Sequence, residues 1–175
     1  GTVIVEQLSP DDDPIKCKVM DVPLKKDAVW KGVRPRPSMR PEARIHLRAW
    51  IDKMTKAGLI MLSPDQHAPS SPVLVVQDPS GKFRITQDAS AINELFEKIE
   101  GEIPLIKEII HHLGQFKFRG SMDLLQAFHQ IQVSPQMTQY FRFSTPFGIY
   151  QYCNRGPQGD KNMPVHFCSQ IAEIY

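Results

Sequence analysis

One carboxylate in the sequence has a position that would suit metal chemistry. Asp123 follows residues 116–122, whose alternating character predicts a β-strand, and precedes a short helical segment at 124–131. Carboxylates are among the oxygen ligands that Mg²⁺ takes in proteins, and a strand end mounts such a group rigidly. The simpler interpretation is that Asp123 caps the segment after it, and spacing alone favours that cap.

Two cations belong to a predicted β-hairpin. The apolar run 73–76 is too short for a helix, residues 78–81 form a turn, and residues 82–86 return. Arg84 on the returning run has a guanidinium that can bind phosphate oxygens through two bonds and stays charged, while Lys82 would act as a point charge. The alternative for both is an ordinary cross-strand surface pair.

Helices and further strands must position these side chains. Pro41 opens a helix that Gly58 is placed to end, and Pro104 opens another that Gly114 ends. The apolar faces of these two helices comprise Ala43, Leu47, Trp50, Ile51 and Met54, and Leu105, Ile106, Ile109, Ile110 and Leu113. Strands are predicted at 139–144 and 149–154, a loop at 155–159 and a last helix at 164–175. Hairpins and helices without a regular βαβ order predict the α+β class.

Composition and charge limit the classes of protein. With 175 residues and 41% hydrophobic residues, the chain can bury the core of one domain. It has no apolar run of the roughly 18–20 residues that a membrane span needs, and no secretory signal. Its three cysteines form no paired motif, which favours a reducing compartment: cytoplasm or nucleus, intracellular and not secreted.

Positive charge is concentrated near the N-terminus. Residues 1–40 are rich in proline and charge and predict an extended arm. The cations between 25 and 48 could form a phosphate-contacting surface, or simply a solvated basic linker and helix, and charge alone favours the solvated linker. These cations are Lys25, Lys26, Lys31, Arg34, Arg36, Arg40, Arg44 and Arg48.

Three segments, in order, resemble the reverse transcriptase domain of retroviruses and gypsy-type LTR retrotransposons. Residues 71–93, with Ser71-Pro72-Val73 and later Gly81-Lys82-Phe83-Arg84, Asp88 and Asn93, resemble the family's fingers hairpin. Residues 121–131 are similar to its first palm motif, D-L-x-x-G-Y-H-Q-I. Residues 156–167, Gly-Pro-Gln-Gly-Asp-Lys-Asn onward, resemble its second palm motif, L-P-Q-G-F-K-N.

This resemblance implies an RNA-directed DNA polymerase, a nucleotidyltransferase that uses Mg²⁺ in the full-length parent. Positioning and charge neutralisation dominate such phosphoryl transfer. The implied partners are an RNA/DNA template–primer, a dNTP and the remainder of the polymerase (rest of palm, thumb and RNase H), with no membrane. The implied organisation is an extended basic, proline-rich arm (1–40), fingers (41–98), the first part of the palm (99–130), a fingers return hairpin (131–162) and a truncated palm helix (163–175).

The resemblance also assigns site residues. Asp123 becomes the catalytic metal ligand, joined by the backbone carbonyl of Leu124. A ring at Phe128 would exclude ribonucleotides by steric clash, although helix core is the ordinary role for such a residue. The nucleotide-binding set is Lys82, Arg84, Leu124, Ala127, Phe128 and Gln158; the nucleic-acid contacts are Arg34, Arg36, Arg40, Gly159 and Asn162.

Departures from the family pattern leave alternatives open. Asp160 replaces a bulky residue and would repel a triphosphate unless it points away, Gln77 stands where Lys is frequent, and Cys168 replaces a frequent Gln. The Y-x-D-D motif is absent, so we expect the 175 residues alone to be inactive, with an exposed sheet edge that favours self-association. The alternative functions are a non-catalytic, domesticated remnant that binds nucleic acid or protein, and an unrelated α+β domain.

Overall fold

The structure is a computed structural model that describes residues 13–33, 39–121 and 123–174. Its first helix, α1, runs from Pro41 to Lys56, with Pro at the first position and Glu42 in the first turn. Ala43, Leu47, Ile51 and Met54 are buried, as the spacing predicts. Gly58 follows with φ +65°, a conformation that glycine adopts without strain.

The predicted hairpin is present. After β1 (Ile60–Leu62), strand β2 (Ser71–Gln77) pairs antiparallel with β3 (Phe83–Gln87), and Val75 lies opposite Ile85. Two helices follow, α2 (Ser90–Asn93) and α3 (Ile106–Leu113).

The second half of the chain completes the sheet. A 3₁₀ turn at Ala127–Gln130 is followed by α4 (Pro135–Thr138) and a second 3₁₀ turn, Gln139–Phe141. The strand expected at 139–144 therefore begins only at β4 (Phe143–Thr145). The Ser134 hydroxyl accepts a hydrogen bond from the Met137 N–H at 3.1 Å, which caps α4 and commits this segment to helical turns.

Strand β5 (Gly148–Tyr152) and helix α5 (Met163–Ile174) end the described elements. The strand order is β1-β5-β4-β2-β3, with β2 and β4 parallel and the other neighbours antiparallel. This mixture of strands and packed helices confirms the α+β class. None of the described helices has the length and apolar composition to cross a membrane.

The core lies between α1 and the sheet. Its most buried side chains include Leu47, Phe96, Phe141 and Phe143, each at most 1% exposed. The described part of the arm also contributes: Met20 is buried and forms a bridge with Val133, and the Met20 N–H donates to the Gln132 carbonyl at 2.8 Å. The described residues 13–33 thus contact the core through Met20.

The strand predicted before Asp123 is wrong. The described residues 115–121 have no strand, and every residue from 101 to 121 is exposed, including Phe118 at 86%. A strand needs a neighbour to satisfy its N–H and C=O groups, and none of the five described strands pairs with this segment. The helix at 106–113 is present as predicted, but its apolar face is also exposed.

Candidate active site

The hairpin turn is fixed by one carboxylate. Asp78 Oδ1 accepts hydrogen bonds from the backbone N–H groups of Ser80 and Lys82, each at 3.0 Å, and from the Ser80 hydroxyl at 2.6 Å. The Ser80 hydroxyl bond is the main cause of a lowered pKa at Asp78. This arrangement holds the turn rigidly and leaves the side chains of the returning strand free.

Arg84 and Lys82 project from this hairpin into solvent. The Arg84 side chain is 76% exposed, and its Nε lies 3.8 Å from Asp78 Oδ2. Exposed ion pairs of this length contribute little to stability. Arg84 can therefore exchange this contact for a phosphate at small cost, and Lys82 is likewise exposed.

Asp123 and the residues after it form a loop that ends in the first 3₁₀ turn. Asp123 is exposed, and within the described residues no hydrogen bond or ion pair holds its carboxylate. The turn begins at Ala127, with Gln126 at its N-terminus in the left-handed region, so the alternative role of Asp123 as a helix cap is wrong. Leu124 and Ala127 are half-buried.

Phe128 has both an inner and an accessible side. It is half-buried, and its ring packs edge-on against Phe167 of α5 with centroids 5.8 Å apart. Packing in the core therefore accounts for part of this ring, and the rest remains accessible.

The loop 155–159 is tied directly to this 3₁₀ turn. The Gly156 N–H donates to the Ile131 carbonyl at 2.9 Å, and His129 Nδ1 lies 2.8 Å from the Gly156 carbonyl. Since a carbonyl only accepts, Nδ1 carries the proton, and burial lowers the His129 pKa and keeps the ring neutral. A Cβ at Gly156 would lie 2.2 Å from the Phe128 carbonyl oxygen, so only glycine fits.

Gln158 is presented on the outer side of this loop. Its side chain is exposed, while its backbone makes a hydrogen bond with the hydroxyl of Tyr152, a buried residue of β5. Burial raises the pKa of that hydroxyl strongly, so Tyr152 stays neutral. The core therefore anchors the backbone of Gln158 and leaves its amide to solvent.

The same loop contacts the segment that follows the hairpin. Asn93 Nδ2 donates to the Gly159 carbonyl at 2.8 Å, and the Lys161 N–H donates to Asn93 Oδ1 at 3.0 Å. A Cβ at Gly159, whose φ is +97°, would lie 3.3 Å from Ala89 Cβ. Residues 89–93, which follow the hairpin, and the first 3₁₀ turn thus both contact the 155–159 loop.

Asp160 is turned inward. It is 4% exposed, its Oδ1 accepts from the Asn162 N–H at 3.1 Å, and its Oδ2 has no hydrogen-bond partner among the described residues. Burial raises the pKa of this carboxyl to about 6. The sequence predicts that Asp160 repels a triphosphate unless it points away. Because the carboxyl is buried, it does not face a ligand at the surface.

The expected nucleic-acid contacts are divided. Gly159 and Arg40 are exposed, whereas Arg34 and Arg36 lie outside the described residues. Asn162 is 1% exposed, and its amide bonds the Ile99 N–H and the Glu97 carbonyl, each at 2.9 Å. Because both polar atoms are used inside the protein, Asn162 joins 97–99 to the loop instead of presenting a contact surface.

Three supporting residues were not singled out for these roles by the sequence. Asn93 belongs to the fingers motif without an assigned role, and the sequence assigns no site role to His129 or Tyr152. The alternation of buried residues along β5 could have indicated Tyr152, since Tyr150 and Tyr152 share its buried face. Nothing in the sequence indicates that Asn93 reaches residues 159 and 161.

The sequence is similar to segments of retroelement polyproteins. The sequence is 33% identical over 128 residues, 70% of the chain, to the "Retrovirus-related Pol polyprotein from transposon 297" of Drosophila melanogaster, of which 12% is covered. It is 30% identical over 148 residues, 79% of the chain, to the Gag-Pro-Pol polyprotein of human T-cell leukemia virus 2, of which 10% is covered. No family model matches the chain.

The fold is similar to part of two solved foamy viral structures. A foamy viral protease-reverse transcriptase in complex with RNA/DNA hybrid superposes with a TM-score of 0.76 at 19% identity, covering 90% of this chain and 21% of that one. A second foamy viral structure, in complex with ds DNA, gives a TM-score of 0.66 at 16% identity, covering 97% of this chain and 26% of that one.

The chain spans only 10–16% of the length of these curated relatives. The chain is thus related in sequence to a segment of retroviral and retrotransposon Pol polyproteins, and its α+β fold is similar to part of the foamy viral protease-reverse transcriptase.

Proposed function

We propose that this chain is the fingers and first palm part of an RNA-directed DNA polymerase, and that it binds template–primer and an incoming dNTP. The observation that carries the proposal is the meeting of three motif-bearing segments around the 155–159 loop. Asn93 and Ala89 reach the loop from the hairpin side, and His129 and Ile131 bind it from the Asp123 side. The related Pol polyproteins and the foamy viral fold support the same reading.

Arg84 and Lys82 would bind the triphosphate. Both are exposed, and Arg84 has only a 3.8 Å contact to give up. A guanidinium in this position neutralises phosphate charge without a change in its own protonation. Phe128 would pack under the sugar. The exposed side chain of Gln158 would contact the nucleotide, while its backbone is held by the Tyr152 hydroxyl.

Asp123 fits the role of a metal ligand in part. Its carboxylate is exposed and unpaired within the described residues, and the backbone of Leu124 adjoins it. No group of three or more acidic, histidine or cysteine side chains that could hold a metal occurs in the described ranges. Bound Mg²⁺ would neutralise charge on the reacting phosphates, and Asp123 would orient it through one carboxylate.

One carboxylate does not make a complete polymerase site, so we expect no primer extension by the chain alone. The binding-module alternative shares the nucleic-acid contacts and lacks the chemistry. An exposed Asp160 would favour this alternative, because it would repel a triphosphate. The carboxyl is buried, so this argument for a non-catalytic module is weakened.

Binding and extension assays test the proposal together. The 175-residue chain is titrated into a fluorescein-labelled RNA/DNA hybrid, and the same mixture is then supplied with Mg²⁺ and dNTPs. We expect binding that weakens with salt, because phosphate contacts release counterions, and no extension. Absence of hybrid binding at low salt would contradict the proposal; extension by the chain alone would contradict its expected inactivity.

Arg84→Ala, with Lys53→Ala as a control of equal charge change on α1, tests the triphosphate role. We expect Arg84→Ala to weaken binding of a fluorescent dNTP to the hybrid complex by about tenfold, near the 1.5–3 kcal/mol of a charge-assisted hydrogen bond. Lys53→Ala should leave dNTP binding unchanged. Equal effects of the two substitutions would remove Arg84 from the nucleotide site.

A further inference from the structure

A groove lies on the outer side of α1, away from the residues of the candidate active site. Its volume is about 580 Å³, within the range of sites that hold small ligands. Ile45 and Ala49 of α1 contribute to its lining together with Phe147 of the β4–β5 turn. Ile45 is 69% exposed, so the groove offers apolar surface directly to solvent.

Two arginines of α1 line the same groove. The guanidinium carbons of Arg44 and Arg48 each lie 5.2 Å from the centre of the Phe147 ring, within the distance of cation–π contact. These contacts hold two flat cationic groups beside an aromatic ring. Such a cluster offers stacking surface and positive charge together.

The groove has a net positive charge. Asp52, its acidic lining residue, is paired with Arg48 at 3.2 Å. Within the described residues Arg44 has no carboxylate partner. Arginines four residues apart on a helix repeat at about 6 Å along its axis. Because both guanidinium groups also lie at the Phe147 ring, they suit a ligand that presents neighbouring negative charges beside a flat group.

We propose that this groove binds a nucleotide of a single-stranded nucleic acid. The base lies against Ile45 and the Phe147 cluster, and Arg44 and Arg48 bind the flanking phosphates. Aromatic rings and guanidinium planes stack bases of any sequence, and a row of cations follows the backbone. An acidic peptide without aromatic residues would pair with the cations, but it offers no flat ring to stack on Phe147 and the guanidinium planes. This inference rests on the proposed function and adds a second contact surface to it.

Fluorescence anisotropy with a short labelled oligothymidylate tests the groove. The double variant Arg44→Ala/Arg48→Ala is compared with Lys53→Ala/Lys56→Ala, which removes two charges from the same helix outside the groove. We expect the first variant to weaken binding at least tenfold and to reduce the salt slope by about 1.4, at about 0.7 per lost phosphate contact. Phe147→Leu should weaken binding by about fivefold, the lower bound for one stacked base.

A blunt RNA/DNA hybrid separates failure of this inference from failure of the proposed function. The inference predicts that hybrid affinity changes less than twofold in the groove variants. If the unaltered chain binds neither ligand, the proposed function and the inference both fall. If it binds both and the groove variants behave like the lysine control, only the groove assignment falls, and the apolar lining is left to a protein partner. Equal loss of both ligands would also overturn a single-strand site. Circular dichroism confirms that each variant is folded.

Discussion

Helices α1 and α3 make the sharpest contrast in the molecule. Helix α1 begins at a proline and α3 begins two residues after one, both carry apolar residues at helical spacing, and both end near a glycine. The apolar side of α1 is buried, with Leu47 at 0% exposure, whereas every residue of α3 is exposed and Ile106 reaches 73%. The two helices share the same kind of apolar spacing and lie in opposite environments.

The difference teaches that periodicity identifies a face and not its partner. α1 lies against a sheet that residues 60–152 supply, so its stripe has a surface to cover. The segment 101–121 has no such surface among the described residues. An exposed apolar stripe of this size is typical of a surface that associates with another protein segment.

Matched leucine substitutions should give the largest contrast. Leu47→Ala should lower the free energy of unfolding by about 2–5 kcal/mol, because it leaves a cavity in a packed core. Leu113→Ala on α3, where the side chain is 41% exposed, should change it by less than about 0.5 kcal/mol. Urea unfolding measures both, and similar losses would mean that α3 is buried in solution.

Asp160→Asn tests the effect of a buried carboxyl group in the packed part of the molecule. Its folded pKa of about 6 exceeds the ordinary 3.8, so between these values the folded chain holds a proton that the unfolded chain has released. Stability from this group therefore falls as pH rises from about 4 to about 6 and then stays level. The substitution should remove that dependence and add up to about 3 kcal/mol at neutral pH. An unchanged pH profile of thermal unfolding would contradict burial of the carboxyl.

Substitutions of Gly156 and Gly120 compare a tightly packed backbone position with one in the exposed segment 101–121. Gly156→Ala should cost about 1–3 kcal/mol and disturb the loop, because its Cβ would lie 2.2 Å from a carbonyl oxygen. Gly120→Ala is the matched control, since no atom lies within 4 Å of its added Cβ. Thermal unfolding of the two variants should differ clearly, and equal melting temperatures would contradict the tight contact at Gly156.

Substitutions on the apolar face of α3 should reduce self-association with little change in the free energy of unfolding. The sequence predicted association through a strand edge, but the exposed feature of 101–121 is the apolar face of a helix. Ile106→Lys/Ile110→Lys should therefore shift the chain toward monomer and change unfolding by less than about 0.5 kcal/mol. Sedimentation of the two proteins over a range of concentrations measures this, and an unaltered distribution would remove α3 from the contact.

Local signals predicted the elements that their own residues determine. Pro41 and Gly58 bound α1, and the turn at 78–81 places β2 and β3 in register. The parallel pairing of β2 with β4 depends on Ser71 meeting Phe143, which are far apart in the chain, so no local pattern announces it.

The same limit applies to the candidate site. The chemical types of Asp123 and Arg84 can be read from the sequence. A strand before Asp123, however, needs a neighbouring strand to pair with, and the local sequence pattern does not show whether such a neighbour is present. The inward turn of Asp160 likewise depends on packing around residues 159–162, because the residue type alone favours solvent. Tyr152 and Asn93 act through contacts with a distant loop and gave no local signal.

Chemical-shift mapping by NMR tests the central claim most directly. An RNA/DNA template–primer with a template overhang and the complementary dNTP are added to the isotope-labelled chain in the presence of Mg²⁺. We expect the largest shift changes at Lys82, Arg84, Asp123–Phe128 and Gln158–Gly159, with α3 unchanged. Changes confined to other surfaces, or none at the hybrid concentration that saturates anisotropy, would contradict the placement of the polymerase site around the 155–159 loop.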